Sequence, residues 1–304
     1  MEYAMDRLKS LQTLTMVIET GGFSKAARAL GIGQPAVSKA IGMLEREFGV
    51  KLVNRGTHIS PTEDGARVYE EARKVVDAYG GLQEATARKS TPRGLVRVTC
   101  PNALGTLYLI PKLKEFLQLY PEITVELRVS DAFIDLHEND IDVAIRVGEP
   151  RGDRLIAKKV CDLRRVAVGA ATYFQDHAMP HKPQDLQDHA CVIVGHTHGT
   201  DDWPYVTPGG ARSSIEVFGR IVVDNYLALR TAVEAGLGIG LAAGFIYDRD
   251  GLDSGRLVRV LPEYEFRPFP LHLMFKDARL IPARVRLFID FLYADLKRQP
   301  WAAP

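Results

Sequence analysis

The chain has 304 residues, 46% of them apolar and 25% charged, with a formal net charge of +1. These values are ordinary for a globular protein, leave room for more than one core, and exclude a polycation. No apolar run approaches the roughly 20 residues a membrane helix needs, and Asp6, Arg7 and Lys9 interrupt any leader-like opening.

Leu8, Leu11, Leu14 and Ile18 recur at helical spacing, so residues 6–20 form a helix that Gly21-Gly22 ends. The next stretch, FSKAARALGIGQPAVSKAI (23–41), reads as two short helices joined by a glycine turn, a helix-turn-helix. Ser24 is expected to cap the first of them, beginning at Lys25. Gly31 ends it, because glycine tolerates positive φ. Pro35 suits the first turn of the second, where a missing N–H is harmless. At about 100° per residue, Val37, Ile41, Leu44 and Phe48 fall on one arc of that second helix. Pro35, Ser38, Lys39, Gly42 and Arg46 fall on the opposite one. One side packs; the other is small, polar and basic, as a helix entering the major groove must be. An ordinary amphipathic pair with a solvated outer face would read the same way.

VKLVNRGTHIS (50–60) follows as two short strands turning near Gly56, placed where a wing would lie beside the helix pair. Lys51, Arg55 and His58 are its candidates for sugar-phosphate contact. Residues 1–60 carry eight Lys/Arg and five Asp/Glu. That mild positive bias suits a module that touches phosphate. Thr62 caps a long helix with Glu63 and Asp64 at its positive end. Val68, Ala72, Val75, Tyr79, Leu82 and Thr86 alternate steps of four and three along it, the two-stranded coiled-coil period. A second copy of the chain, or the chain's own second domain, would cover that stripe. Gly80-Gly81 predict a bend or early fraying, since each costs about 1 kcal/mol relative to Ala.

Several of these residues form a pattern. Ala26, Ala27 and Leu30 precede Gln34-Pro35-Ala36-Val37-Ser38, then Leu44-Glu45, then Leu52, Arg55, Thr62 and Gly65. The first 66 or so residues thereby closely resemble the LysR-type transcriptional regulators, and the rest of the chain does so more loosely. Gly33, Ala40 and Gly42 depart from the family pattern. Phosphate contacts by Gln34 and Ser38 carry over; base readout from positions 40 and 42 does not. The candidate DNA-facing set is therefore Ser24, Lys25, Gln34, Pro35, Ser38, Lys39, Arg46, Arg55 and His58.

Thr91-Pro92-Arg93-Gly94 marks a boundary beyond which the periodicity switches. LVRVTC (95–100), ITVELRVS (123–130), IDVAIRVG (141–148), RRVAVGA (164–170), CVIV (191–194), SIEVFGRIVV (214–223), GIGLAA (238–243) and LHLMF (271–275) read as strands. TLYLIPKLKEFLQLYP, AFIDLHEND and YLALRTAVEAG read as helices between them, the first with an internal proline. Val285, Phe288, Ile289, Leu292 and Leu296 mark a last one. Strand–helix alternation predicts a parallel α/β sheet, whose ligands lie outside the carboxyl ends of the strands. That rule selects Cys100, Pro101, Asn102, Ser130, Arg146, His196, Thr197 and Asn225, a set suited to a small polar ligand with Arg146 toward an anion. Ordinary strand ends with capping residues are the other reading of the same positions.

The resemblance implies an α/β protein overall: a winged helix-turn-helix (1–60), a dimerising linker helix (61–91) and an effector domain (92–304). That last domain is similar to a two-lobed periplasmic binding protein, one lobe about 92–162 plus 271–297, the other about 163–270. It also implies a regulator that binds double-stranded promoter DNA, takes a small-molecule effector in the cleft, and assembles as a homotetramer. Arg146 points to an organic acid as the effector, the three scattered cysteines suit a reducing cytoplasm, and the lack of a catalytic constellation points away from an enzyme. No cofactor or metal enters this reading. GLGIG (236–240) lacks the dinucleotide-loop spacing and follows a helix. HTHG (196–199) places two His on opposite faces if extended, with no Cys to complete a zinc set. Cys100, Cys161 and Cys191 are widely spaced and offer no resolving pair, zinc pattern or disulfide framework, and no catalytic triad is visible. A redox- or metal-responsive regulator on the same scaffold is the alternative. The other is a solute-binding α/β protein with an accessory helical module, which would need an export signal or a catalytic constellation.

Overall fold

The computed structural model describes residues 2–56, 59–86, 92–132, 136, 139–150, 155–195, 199–247, 252–276 and 281–303. The chain forms two compact units, Met1–Ser90 and Thr91–Pro304.

In the first unit, α1 (Glu2–Thr20), α2 (Phe23–Leu30) and α3 (Gln34–Phe48) precede β1 (Val53–Arg55), β2 (Ile59–Pro61) and α4 (Glu63–Thr86). Leu14, Val17, Ala26, Ala27, Val37, Ile41, Leu44, Leu52 and Val53 form its core. The small Ala26 and Ala27 let α2 approach its neighbours closely. Gly31, at φ 65°, stops α2 in the left-handed conformation. Ser24 does not cap that helix. The helix starts two residues earlier, at Phe23, with Gly22 as its N-cap, so the Ser24 hydroxyl is left to bond Gln34 Oε1 at 3.1 Å. Phe48 also departs from the wheel: it is 45% exposed, because the buried arc of α3 ends at Leu44 and Glu45. The wing forms as an antiparallel pair with Arg55 opposite Ile59. Thr62 Oγ1 accepts from the Gly65 amide at 2.9 Å, which is the expected cap. α4 continues through Gly80 and Gly81 without a break. Tyr69 of α4 donates to Glu19 of α1 at 3.2 Å. The side chains of Leu82 and Thr86 lie outside the described ones.

The second unit is built on one twelve-stranded sheet. Its strands are β3 (Gly94–Cys100), β4 (Ile123–Val129), β5 (Val143–Val147), β6 (Ile156–Ala170), β7 (Cys191–Val194), β8 (Thr200–Val206), β9 (Arg212–Phe218), β10 (Ile221–Val223), β11 (Ile239–Ala243), β12 (Leu257–Val260), β13 (Glu265–Phe275) and β14 (Ala302–Ala303). The helices are α5, α6 (Tyr226–Glu234) and α7 (Ala283–Leu296). α5 is composite: α-helical over Asn102–Leu104, π-helical over Gly105–Leu109, and α-helical again over Ile110–Leu119. Pro111 lacks an N–H and would crowd the carbonyl four residues back, so a widened turn just before it accommodates the ring. The short helix expected over AFIDLHEND falls largely outside the described residues.

The main path of the sheet runs β10-β7-β11-β6-β13-β5-β3-β4. The parallel expectation holds only within each lobe, for β4/β3/β5 and for β10/β7/β11. The centre is antiparallel: β13 pairs with both β5 and β6, and β11 with β6. A chain that enters the second lobe on one strand must return on another running the opposite way. β6 and β13 are those two strands, and each is longer than its apolar pattern suggested. The expected lobe borders at 162/163 and 270/271 fall inside them. SIEVFGRIVV is two strands, not one, because the chain breaks at Gly219-Arg220; a Cβ at Gly219 would stand 2.1 Å from the Cys191 carbonyl oxygen.

Candidate nucleic-acid interface and effector cleft

On the first unit the exposed arc of α3 carries Gln34, Pro35, Lys39 and Arg46, with Ser38 half-buried beside them. Lys25 and Arg28 of α2 are exposed as well. Among the described residues Lys25, Arg28, Lys39 and Arg46 have no carboxylate partner. Gly33 gives α3 no side-chain cap; Pro35 has no N–H and the Ala36 and Val37 amides turn back onto the Gly33 carbonyl at 3.0 and 3.3 Å, which leaves the Gln34 amide at the start of the helix for an anion. Arg55 is held differently: its guanidinium lies 3.7 Å from Glu45 and 5.7 Å over the Phe23 ring. His58 lies outside the described residues.

Glu45 stands outside the candidate DNA-facing set. It is buried on α3, accepts from the Leu52 amide at 3.1 Å, and meets Lys51 at 3.3 Å. Burial alone would raise its pKa. The Leu52 amide, Lys51 and Arg55 outweigh that and hold the carboxyl below its ordinary value. One carboxylate thus ties α3 to the base of the wing.

In the second unit the two lobes enclose a cavity of about 290 Å³. Pro101, Leu104, Asp131, Arg146 and Gly148 line it from the first lobe, and Val194, Asp224, Tyr226 and Phe245 from the second. Leu163 and Phe269 of the crossing strands close it. Arg146 Nη1 donates to the Ser130 carbonyl at 3.1 Å, while Nε and Nη2 are buried and have no hydrogen-bond partner among the described residues. Those two nitrogens form the side edge of the guanidinium, the geometry that grips a carboxylate with two parallel bonds.

Of the residues chosen from strand ends, Pro101 and Arg146 line this cavity. Cys100, Asn102, Ser130 and Asn225 serve the frame. Cys100 is fully buried behind the wall, and burial pushes its thiol up to about 12. Asn102 donates its amide and side chain to Asp131 at 3.3 and 3.0 Å. The Ser130 hydroxyl closes a turn by accepting from Ala132, so its carbonyl, not its hydroxyl, faces Arg146. Asn225 caps α6 through Ala228 at 2.9 Å. His196 and Thr197 lie outside the described residues. Tyr226, Phe245 and Phe269 escaped the strand-end rule; Tyr226 stands one residue beyond the last position it selects.

Comparison with known proteins decides the family. Residues 8–66 match the bacterial regulatory helix-turn-helix protein, lysR family, and residues 89–297 match the LysR substrate binding domain. The chain belongs to the LysR family of transcriptional regulators. It is 31% identical to the probable HTH-type transcriptional regulator LtrA of Klebsiella pneumoniae, over 95% of this chain and 94% of that protein. It is 30% identical to the HTH-type transcriptional regulator PtxR of Pseudomonas aeruginosa, over 99% and 98%. Among solved structures it is similar to CrgA, a LysR-type regulator from Neisseria meningitidis. That match has 27% identity and a TM-score of 0.61, over 95% of this chain and 98% of CrgA. LysR-family proteins are DNA-binding regulators, not enzymes, with an effector-binding domain on a helix-turn-helix module. This chain carries both parts.

Proposed function

We propose that this LysR-family regulator binds promoter DNA as a dimer joined through α4 and answers to a small organic acid held in the inter-lobe cavity. The N-terminus and outer arc of α3 enter the major groove; Gln34, Ser38 and Lys39 meet phosphates and base edges, with the wing on the backbone. Two dimers pair into a tetramer across a promoter in the bacterial cytoplasm. The observation that carries the effector reading is the buried, unpartnered edge of Arg146. A guanidinium desolvated without an acceptor is costly, and an incoming carboxylate supplies the missing bonds. Leu104, Phe245 and Phe269 give the acid an apolar wall, and Asp131 and Asp224 accept from any hydroxyl or amino group it bears.

A thermal-shift screen of small organic acids on the full chain tests this. An acid at 100 times its Kd adds about 2.7 kcal/mol of stability. The shift should disappear in Arg146→Gln. An acid that stabilises that variant as well as the wild type would overturn the role of Arg146.

A further inference from the structure

Beyond the cleft, the second lobe holds another concavity. The start of β13 pairs with β6 and β8, β8 pairs with β9, and β12 pairs with β6. Their side chains surround about 800 Å³. Five cations line it: Arg164 and Arg165 from β6, Arg212 from β9, Arg259 from β12 and Arg267 from β13. Two acids oppose them, Asp162 and Glu265, and Asp162 is already taken by Lys159 at 2.8 Å. Among the described residues Arg164, Arg212, Arg259 and Arg267 meet no carboxylate. A chain whose whole formal charge is +1 therefore gathers three net positive charges in one groove. Like charges held together destabilise the empty fold and favour an anion that spans them.

The chemistry of the groove narrows the ligand. All five cations are arginine, whose planar fork matches phosphate and carboxylate oxygens pairwise. Buried Tyr205 and Phe266 form a floor, with Tyr264 edge-on to Tyr205 at 5.7 Å. The volume is that of a small-molecule pocket. Arg165 forms the wall toward the inter-lobe cleft. Its Nε donates to the Arg267 carbonyl at 2.5 Å, and its guanidinium lies 4.3 Å over the Phe269 ring. We infer that this arginine-lined groove is a second anion site, distinct from the Arg146 cavity, for a small polyanion bearing phosphate or carboxylate groups. Burial, with a smaller push from Arg267, disfavours the charged form of Arg165 more than Tyr226 and Asp201 favour it, and an anion in the groove adds to the favourable side.

Isothermal titration of the full chain with inorganic pyrophosphate, and separately with citrate, at ionic strength matched by chloride, tests the site. We expect saturable 1:1 binding by at least one probe; whichever binds more tightly distinguishes a phosphate from a carboxylate ligand. Arg212 and Arg259 are exposed, so Arg212→Gln/Arg259→Gln should keep its melting temperature yet bind at least about tenfold more weakly, a factor worth 1.4 kcal/mol. Arg212→Lys/Arg259→Lys, which keeps charge but not the fork, should fall between. Arg146→Gln should bind as the wild type does. No saturable binding by either probe up to about 10 mM would overturn the inference. So would binding that Arg146→Gln loses while the groove variants keep it, and that result would assign the anion to the cleft instead.

Discussion

At Glu45 a single carboxylate does three things: it satisfies the buried Leu52 amide, draws in Lys51 and faces Arg55. Its replacements should separate these roles. Glu45→Ala leaves the Leu52 N–H without an acceptor and should cost about 1–3 kcal/mol near neutral pH. Glu45→Gln keeps an oxygen for that amide and loses only pairing with two exposed cations, so it should cost less than about 1 kcal/mol. The native carboxyl sits below its ordinary value of 4.5, so its ionic contribution is complete above that value. It is lost as pH falls through the native pKa. Urea titrations across that window should show wild type and Glu45→Gln converging at low pH. Parallel curves would mean that the charge contributes nothing. No periodicity reveals such a residue: on the wheel Glu45 is one more charge beside Leu44, and only the fold of the wing over it shows why it is buried.

Within one element, the same substitution should have opposite effects at two places. In α4, a Cβ at Gly65 would stand 1.8 Å from the Leu52 carbonyl oxygen, whereas one at Gly80 meets nothing within 4 Å among the described residues. Alanine is the better helix former by about 1 kcal/mol. Gly80→Ala should therefore stabilise the chain by roughly 0.5–1 kcal/mol. Gly65→Ala should destabilise it by about 1–3 kcal/mol, because the helix must move off the Leu52 backbone to make room. Thermal melts of the two variants check both signs. Sequence shows both glycines as equal costs; the distinction is a tertiary contact 13 residues away along the chain. The sheet divides the same way. α3, the wing and α7 are legible because their apolar spacing is local. The first half of β6, IAKKVCDL, shows no alternation, and its partner in β13 lies about a hundred residues on. The candidate cleft was legible as a place, through strand ends, but not as a set of contacts. Pro101 and Arg146 stand in its wall, while Asn102 and Asn225 spend their polar atoms on Asp131 and on the start of α6.

For the whole molecule, control by an effector needs two arrangements that the ligand distinguishes, and it can shift them only by its difference in affinity. In the proposed dimer those arrangements are of two copies held together. Val75 and Tyr79 of α4 are 50% and 38% exposed and stand four residues apart, one turn of helix, while Tyr69 and Ala72 of the same helix are buried within the first unit. Buried and exposed apolar faces on one helix suit an element that packs on its own unit on one side and on a second copy on the other. Val75→Glu/Tyr79→Glu would set like charges against each other across such a seam and leave the inner face untouched. Sedimentation should then find a smaller species than the wild type forms at the same concentration, with unchanged helix content. On promoter DNA the loss should be larger than any one contact explains. Two linked modules bind the second half-site at high effective concentration, and separating them forfeits a factor of roughly 10²–10⁴ in apparent affinity. The isolated half-site should be bound as before, since α2, α3 and the wing are unaltered. A variant that keeps the wild-type mass and protects both half-sites would place the dimer seam elsewhere on the chain.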